Sequence, residues 1–272
     1  MSILQEGWEC FRLGEFERAL EKFHLVESRS AADSPEYLES LMGQASLWNT
    51  RQDKRDPRRA EKLYLKIVKL APGSQAASWA SLDLVRIMHL TRADQPLDYV
   101  SLAKNYRQVA LKYPGTSAAE EALLQAMALE EIQADRGKLL NLIKEYQDFL
   151  TTHPESGYKG AVYGAMARLY DSLRRYEEKL TSLLHALEFQ DIDKLNPNEQ
   201  YVWIYWTIAV TAEFDVGNFP VARRFYNKLL AEYPSDLLVF RAREALSRMD
   251  RVESDLKLGR AIPESQPLGS LR

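Results

Sequence analysis

Four histidines, His24, His89, His153 and His185, are the side chains best suited to proton transfer or metal binding near neutral pH, and they lie far apart along the 272 residues. None has a second His or Cys beside it at the spacing a metal site uses. The chain also lacks a glycine-rich phosphate loop and a Gly-x-Ser-x-Gly nucleophile turn. Glu120-Glu121 and Glu130-Glu131 are paired carboxylates of the kind that di-metal helix bundles use, but no histidine follows them three residues on. They read as solvated helix faces. The expectation is a protein with no catalytic residue, no metal and no cofactor, and therefore no enzyme. Cys10, the single cysteine, has no partner for an intrachain disulfide and reads as a small buried hydrophobe rather than a reactive thiol.

Two other segments have the composition for binding. Between Arg51 and Arg59 the chain sets five cations, Arg51, Lys54, Arg55, Arg58 and Arg59, against Asp53 and Asp56. Such a loop contacts an acidic partner or a phosphate, or simply keeps its charges in water. Tyr201-Val202-Trp203-Ile204-Tyr205-Trp206 carries aromatic rings all the way round a helix, since successive residues turn by about 100°. Either neighbouring helices enclose and bury the whole set, or Trp203, with Thr207, Thr211 and Phe214 along one side, faces a ligand groove.

The elements that position these residues are helical. Hydrophobic residues make up 46% of the chain, enough for a substantial core, while β-branched, turn-rich stretches are scarce. The 36 basic and 39 acidic side chains are interspersed, which gives no field for gripping a nucleic-acid backbone or an anionic membrane. The longest apolar run, Tyr201 to Val210, is about half of the roughly 18 residues a membrane span requires. Residues 1–12 contain Glu6 and Glu9 and no apolar stretch of the secretory type, so a cytoplasmic location is expected; a chain relieved of an export signal would begin in the same way, and would be periplasmic.

A repeat organises the helices. Pro72, Pro114, Pro154 and Pro234 are separated by 42, 40 and 80 residues, a period near 40 with one proline missing. Ahead of each proline the same pattern recurs: Ala60, Tyr64, Ile67, Val68; Leu102, Tyr106, Val109, Ala110; Leu142, Tyr146, Phe149, Leu150; Ala222, Tyr226, Leu229, Leu230. The spacing i, i+4, i+7, i+8 makes one apolar stripe on a helix that proline then stops.

With these residues the chain resembles the tetratricopeptide family, whose unit is two antiparallel helices. Gly7, Gly14, Phe16, Ala19 and Phe23 match its first unit closely; Tyr163, Ala167, Tyr170, Tyr176 and Ala186 match a fifth; Trp206, Gly217, Phe219, Ala222 and Tyr226 match a sixth. The first helices of the third and fourth units, around Trp79 to Leu90 and Ala118 to Ile132, depart from the pattern and receive no position-by-position assignment. The junctions Tyr113-Pro114-Gly115-Thr116, His153-Pro154-Glu155-Ser156 and Tyr233-Pro234-Ser235-Asp236 are similar to those of the bacterial cell-envelope branch, such as outer-membrane assembly lipoproteins and the Tol-Pal coordinator.

The resemblance implies an all-α, right-handed α-solenoid of about six hairpins over residues 1–258, with a capping helix from about Asp236 to Leu258 and a flexible tail over 259–272. It implies groove positions at Trp8, Phe11, Arg12, Gln44, Trp48, Arg168 and Asp171. The expected function is that of a scaffold or adaptor that binds a protein partner in a larger assembly. The alternative is a client-binding chaperone, or a regulatory subunit of an enzyme or of a secretion or envelope complex.

Overall fold

The computed structural model describes residues 1–51, 54–90, 96–132, 134–190 and 201–258, and among them no strand occurs. The expected tail, 259–272, lies outside the described residues, as do residues 91–95. The chain groups into two compact units: the first is Met1–Leu142 with His153–Tyr158, the second Ile143–Thr152 with the residues from Lys159 onward.

In the first unit α1 (Ile3–Arg12), α2 (Phe16–Arg29), α3 (Pro35–Thr50), α4 (Pro57–Leu70), α5 (Gln75–Leu90), α6 (Tyr99–Lys112) and α7 (Ser117–Glu131) follow one another. Each packs on the next, and α1, α3, α5 and α7 also pack in succession, the signature of stacked hairpins. α8 (Arg136–Thr152) has its first turns in this unit and its last in the second. The second unit continues with α9 (Lys159–Ser172), α10 (Tyr176–Glu188), α11 (Val202–Val210), a π-helical turn Thr211–Val216, α12 (Phe219–Glu232) and α13 (Leu238–Lys257). The third- and fourth-unit helices left unassigned on sequence grounds are α5 and α7, both well formed.

Local chemistry sets the boundaries. Ser2, Ser34, Asp56, Asp98, Thr116 and Asn218 each accept a backbone N–H of the helix they precede, and prolines enter α3, α4 and α12 at the first turn, where no amide bond is lost. Pro72, Pro114, Pro154 and Pro234 each fall two residues past the end of their helix, α4, α6, α8 and α12. The turn into α2 uses Gly14 at φ 78°, and that into α12 uses Gly217 at φ 74°. Arg174 occupies the same place before α10 at φ 57°, the one non-glycine residue with positive φ among those described.

The repeat tyrosines Tyr64, Tyr106, Tyr146 and Tyr226 are all fully buried, as the apolar stripes predict. Each ring spans its hairpin far enough for the hydroxyl to need a polar partner. Tyr64 finds Asp83 and Ser46, Tyr106 finds His89 Nδ1 at 3.2 Å, and Tyr226 finds Glu213 Oε2 at 2.8 Å. In the first unit Phe23 of α2 is inserted between two glycines. A Cβ at Gly7 would stand 2.8 Å from its ring, and one at Gly43 2.4 Å. Cys10 is buried beside Phe23, as expected of a small hydrophobe.

Candidate partner-binding surfaces

The first-unit groove candidates divide between outside and inside. Trp8 is half-buried, edge-on to Phe11 and Phe23, with Nε1 donating to Glu39 Oε1 at 2.9 Å. It forms one wall of a cleft of about 510 Å³ between the start of α1, the end of α2 and the start of α3, with Leu4, Val26 and Pro35 on the other walls. Phe11 packs edge-on to Phe16, and Arg12 stands exposed with Glu9 at 2.7 Å. Gln44 turns inward: it is buried and donates to Glu27 Oε2 at 2.8 Å. Lys66 and His24 reach the same carboxylate. Trp48 is half-buried beneath the Arg59 guanidinium, 3.9 Å from the ring centroid, and its Nε1 is buried without a hydrogen-bond partner, as is Asn49 Oδ1.

Of the basic segment only Arg51 leaves the water; Lys54, Arg55, Arg58 and Arg59 are exposed. Arg51 is only 3% exposed, lies over the Phe16 ring and pairs with Glu17 at 2.7 Å. Lys54 reaches the same carboxylate, and these two cations hold Glu17 below the usual carboxylate range. Arg55, Arg58 and Arg59 stand exposed, Arg55 Nε donating to the Asn49 carbonyl and Arg59 stacking on Trp48. The buried Arg51 is satisfied by Glu17, since an unpaired buried charge is costly. Gln52 and Asp53 lie outside the described residues.

The glutamates read as solvated faces are likewise engaged. On α5, Asp83 and Arg86 sit one turn apart with Arg86 Nη1 2.8 Å from Asp83, and Arg86 also pairs with Glu121 of α7. Tyr158 Oη donates to Glu121 Oε2 at 2.9 Å, and Ser156 Oγ to Glu120 Oε2 at 2.6 Å. Arg107 of α6 binds Glu130 through two bonds of 2.7 and 2.6 Å. Burial raises the Asp83 carboxyl against the opposing pull of Arg86, and desolvation pushes Tyr106 up to about 12. Both oxygens of Glu121 and both of Glu130 meet an internal donor, so the network locks helices together. Sequence reasoning missed it because α5 and α7 depart from the repeat; the signal present was three acids, Asp83, Glu120 and Glu121, flanking a lone Arg86 on successive first helices.

In the second unit the aromatic run divides. Tyr205 is buried, Tyr201 and Trp206 are half-buried, and Trp203 is 70% exposed, so neighbours do not enclose the whole set. Thr207 is exposed on the same side, its hydroxyl returned to the Trp203 carbonyl. Phe214 is 63% exposed with the Arg248 guanidinium 4.9 Å from its ring centroid. Thr211 is buried. It begins the π-helical turn, in which Glu213 is also buried and satisfied by Tyr226 and Arg248. Asp171 and Arg168 are exposed on α9; Asp171 meets Lys179, which also binds Asp215 at 3.0 Å.

Of the histidines, His89 and His185 sit against Tyr106 and Tyr163, and His24 and His185 each approach a glutamate on their own helix. Among the described residues no group of three His, Cys, Asp or Glu could hold a metal ion, and no helix is long and apolar enough to cross a membrane.

Stacked two-helix units, with prolines past α4, α6, α8 and α12 and a buried tyrosine in each of those helices, define a tetratricopeptide-type α-solenoid fold. Solved structures agree. The chain is similar to PilF of Pseudomonas aeruginosa, with a TM-score of 0.56 and 15% identity over 89% of this chain and 96% of that one. It is similar to PilW, a widely conserved type IV pilus biogenesis factor, with a TM-score of 0.55 and 12% identity over 86% and 94%. A chain of the APC/C hetero-tetramer Cut9-Hcn1 matches at 0.55 and 15% over 90% of this chain, which spans 42% of that longer one. All three are tetratricopeptide-repeat proteins. No family model and no curated protein matches the sequence.

Proposed function

We propose that the protein is an interaction scaffold, not an enzyme, and that it takes a partner polypeptide against the exposed side of α11 and the π-helical turn. The observation that carries this reading is Trp203, a large ring 70% exposed on an otherwise well-packed helix, with Phe214 63% exposed in the π-helical turn that follows. Burying such a ring is worth about 1.5–3 kcal/mol, and exposed Trp and Arg anchor interfaces out of proportion to their number. Arg248 beside Phe214, and Arg168 and Asp171 on α9, supply polar groups in the same unit. The similar proteins support a role in assemblies: one belongs to a hetero-tetramer and another acts in pilus biogenesis.

The test is affinity purification of tagged wild-type and Trp203→Ala chains from the native source, compared by mass spectrometry. Equal helicity with loss of the co-purifying proteins is expected in the variant. Full retention of those proteins by Trp203→Ala would remove α11 as the docking side.

A further inference from the structure

Charges that are interspersed along the sequence are sorted by the fold of the first unit. α4 carries five cations and one acid, and α6 three cations and no acid, whereas α3 and α7 carry acids alone. α4 and α6 both pack on α5. Their inner faces, with Tyr64 and Tyr106, are buried; the opposite faces are Arg58, Lys62, Leu65 and Lys69 on α4, and Val100, Lys104, Arg107 and Leu111 on α6. Position by position the two sets stand 42 residues apart, the separation of Pro72 from Pro114, so consecutive hairpins present them on the same side. On α2, counting from Phe23 as from Tyr64, the corresponding positions hold Glu17, Glu21, His24 and Ser28. The basic stripe therefore starts at α4.

Apolar side chains stand out among these cations. Leu65 is 52% exposed, Val100 68% and Leu111 81%. Arg58, Lys62, Lys69 and Lys104 have no carboxylate partner among the described residues, while Lys66 is taken by Glu27 and Arg107 by Glu130. With a net charge of −3 over the whole chain, attraction to an anionic surface can come only from a face sorted in this way.

We infer that the outward face of α4 and α6 docks on the surface of an anionic lipid bilayer. Leu65, Val100 and Leu111 enter the headgroup layer, and Arg58, Lys62, Lys69 and Lys104 meet lipid phosphates and carboxylates. A bilayer interface takes apolar side chains wherever they fall and lets lysine stems lie along them. An acidic polypeptide would need a pocket for each of three protruding side chains at this spacing, and a nucleic acid would answer the cations but leave those side chains in water. The contact is peripheral, since no helix among the described residues is long and apolar enough to cross a membrane. It uses the first unit alone.

Co-sedimentation of the full chain with vesicles tests this. Binding is expected to phosphatidylcholine vesicles that contain phosphatidylserine, not to phosphatidylcholine alone, and should fall as salt is raised. Each cation near such a surface is worth about fivefold in partitioning, so Lys62→Glu with Lys104→Glu should lose more than about tenfold at unchanged helicity. Leu65→Ser with Leu111→Ser should lose about fivefold or more. Arg241→Glu with Arg243→Glu, both exposed on α13, changes the net charge equally and should bind as the wild type does. Failure of the wild type to bind anionic vesicles, including capture by polyglutamate or nucleic acid instead, would overturn the assignment. So would an equal loss in the α13 variant, or full binding by the leucine variant.

Discussion

Tyr226 Oη donates a 2.8 Å hydrogen bond to Glu213 Oε2, and Arg248 Nε binds the other oxygen of the same carboxylate at 2.8 Å. Three elements, the π-helical turn, α12 and α13, are thereby joined at one buried acid. Glu213→Gln keeps the shape and removes the charge, and should cost about 1.5–3 kcal/mol in urea denaturation. Tyr226→Phe leaves Glu213 paired with Arg248 and should cost less.

The clasp of Gly7 and Gly43 on Phe23 leaves no space for a methyl group at position 43, where the added carbon would sit 2.4 Å from the ring. Gly43→Ala must move a fully buried Phe23 and should destabilise by about 1–3 kcal/mol. Calorimetry on Gly43→Ala and Gly164→Ala separates the clash from helix propensity, because a Cβ at Gly164 meets nothing within 4 Å.

Arg174 takes a left-handed conformation where the equivalent turns use Gly14 and Gly217. Arg174→Gly removes that strain and should stabilise by about 1 kcal/mol, raising Tm by about 2–4 °C. An unchanged or lower Tm would mean that the arginine side chain contributes more than its backbone costs.

His89, against Tyr106, is held below the ordinary value of 6.5 by burial. Its folded pKa is thus below its unfolded one, so the unfolded chain binds the proton first and stability falls as pH drops from about 6.5 through the folded pKa. In His89→Gln that part of the pH dependence should vanish. NMR titration of the ring should give a midpoint below 6.5.

The repeat was legible because its signals are local. The stripe Ala222, Tyr226, Leu229, Leu230 and its stop at Pro234 fall within thirteen residues, and a single helix encodes them whatever it packs against. Gly7 was legible for the related reason that a missing side chain leaves space for a ring such as Phe23. The exposed anchors were read less well. Gln44 and Arg51 have the types expected of a binding surface, yet both are buried, since Glu27 and Glu17 stand ready to satisfy them.

The sequence by itself determined helices, their ends, the repeat and its tyrosine stripe, all legible from the pattern within single helices and their stops. Only the tertiary structure decided which polar groups meet. Arg86 finds Glu121 35 residues away, Tyr158 finds Glu121 at 37, Lys179 finds Asp215 at 36 and Arg248 finds Glu213 at 35. Each separation is close to one repeat. Such partners are brought together by one hairpin stacking on the next, and no periodicity within a helix distinguishes a charge so paired from one facing water.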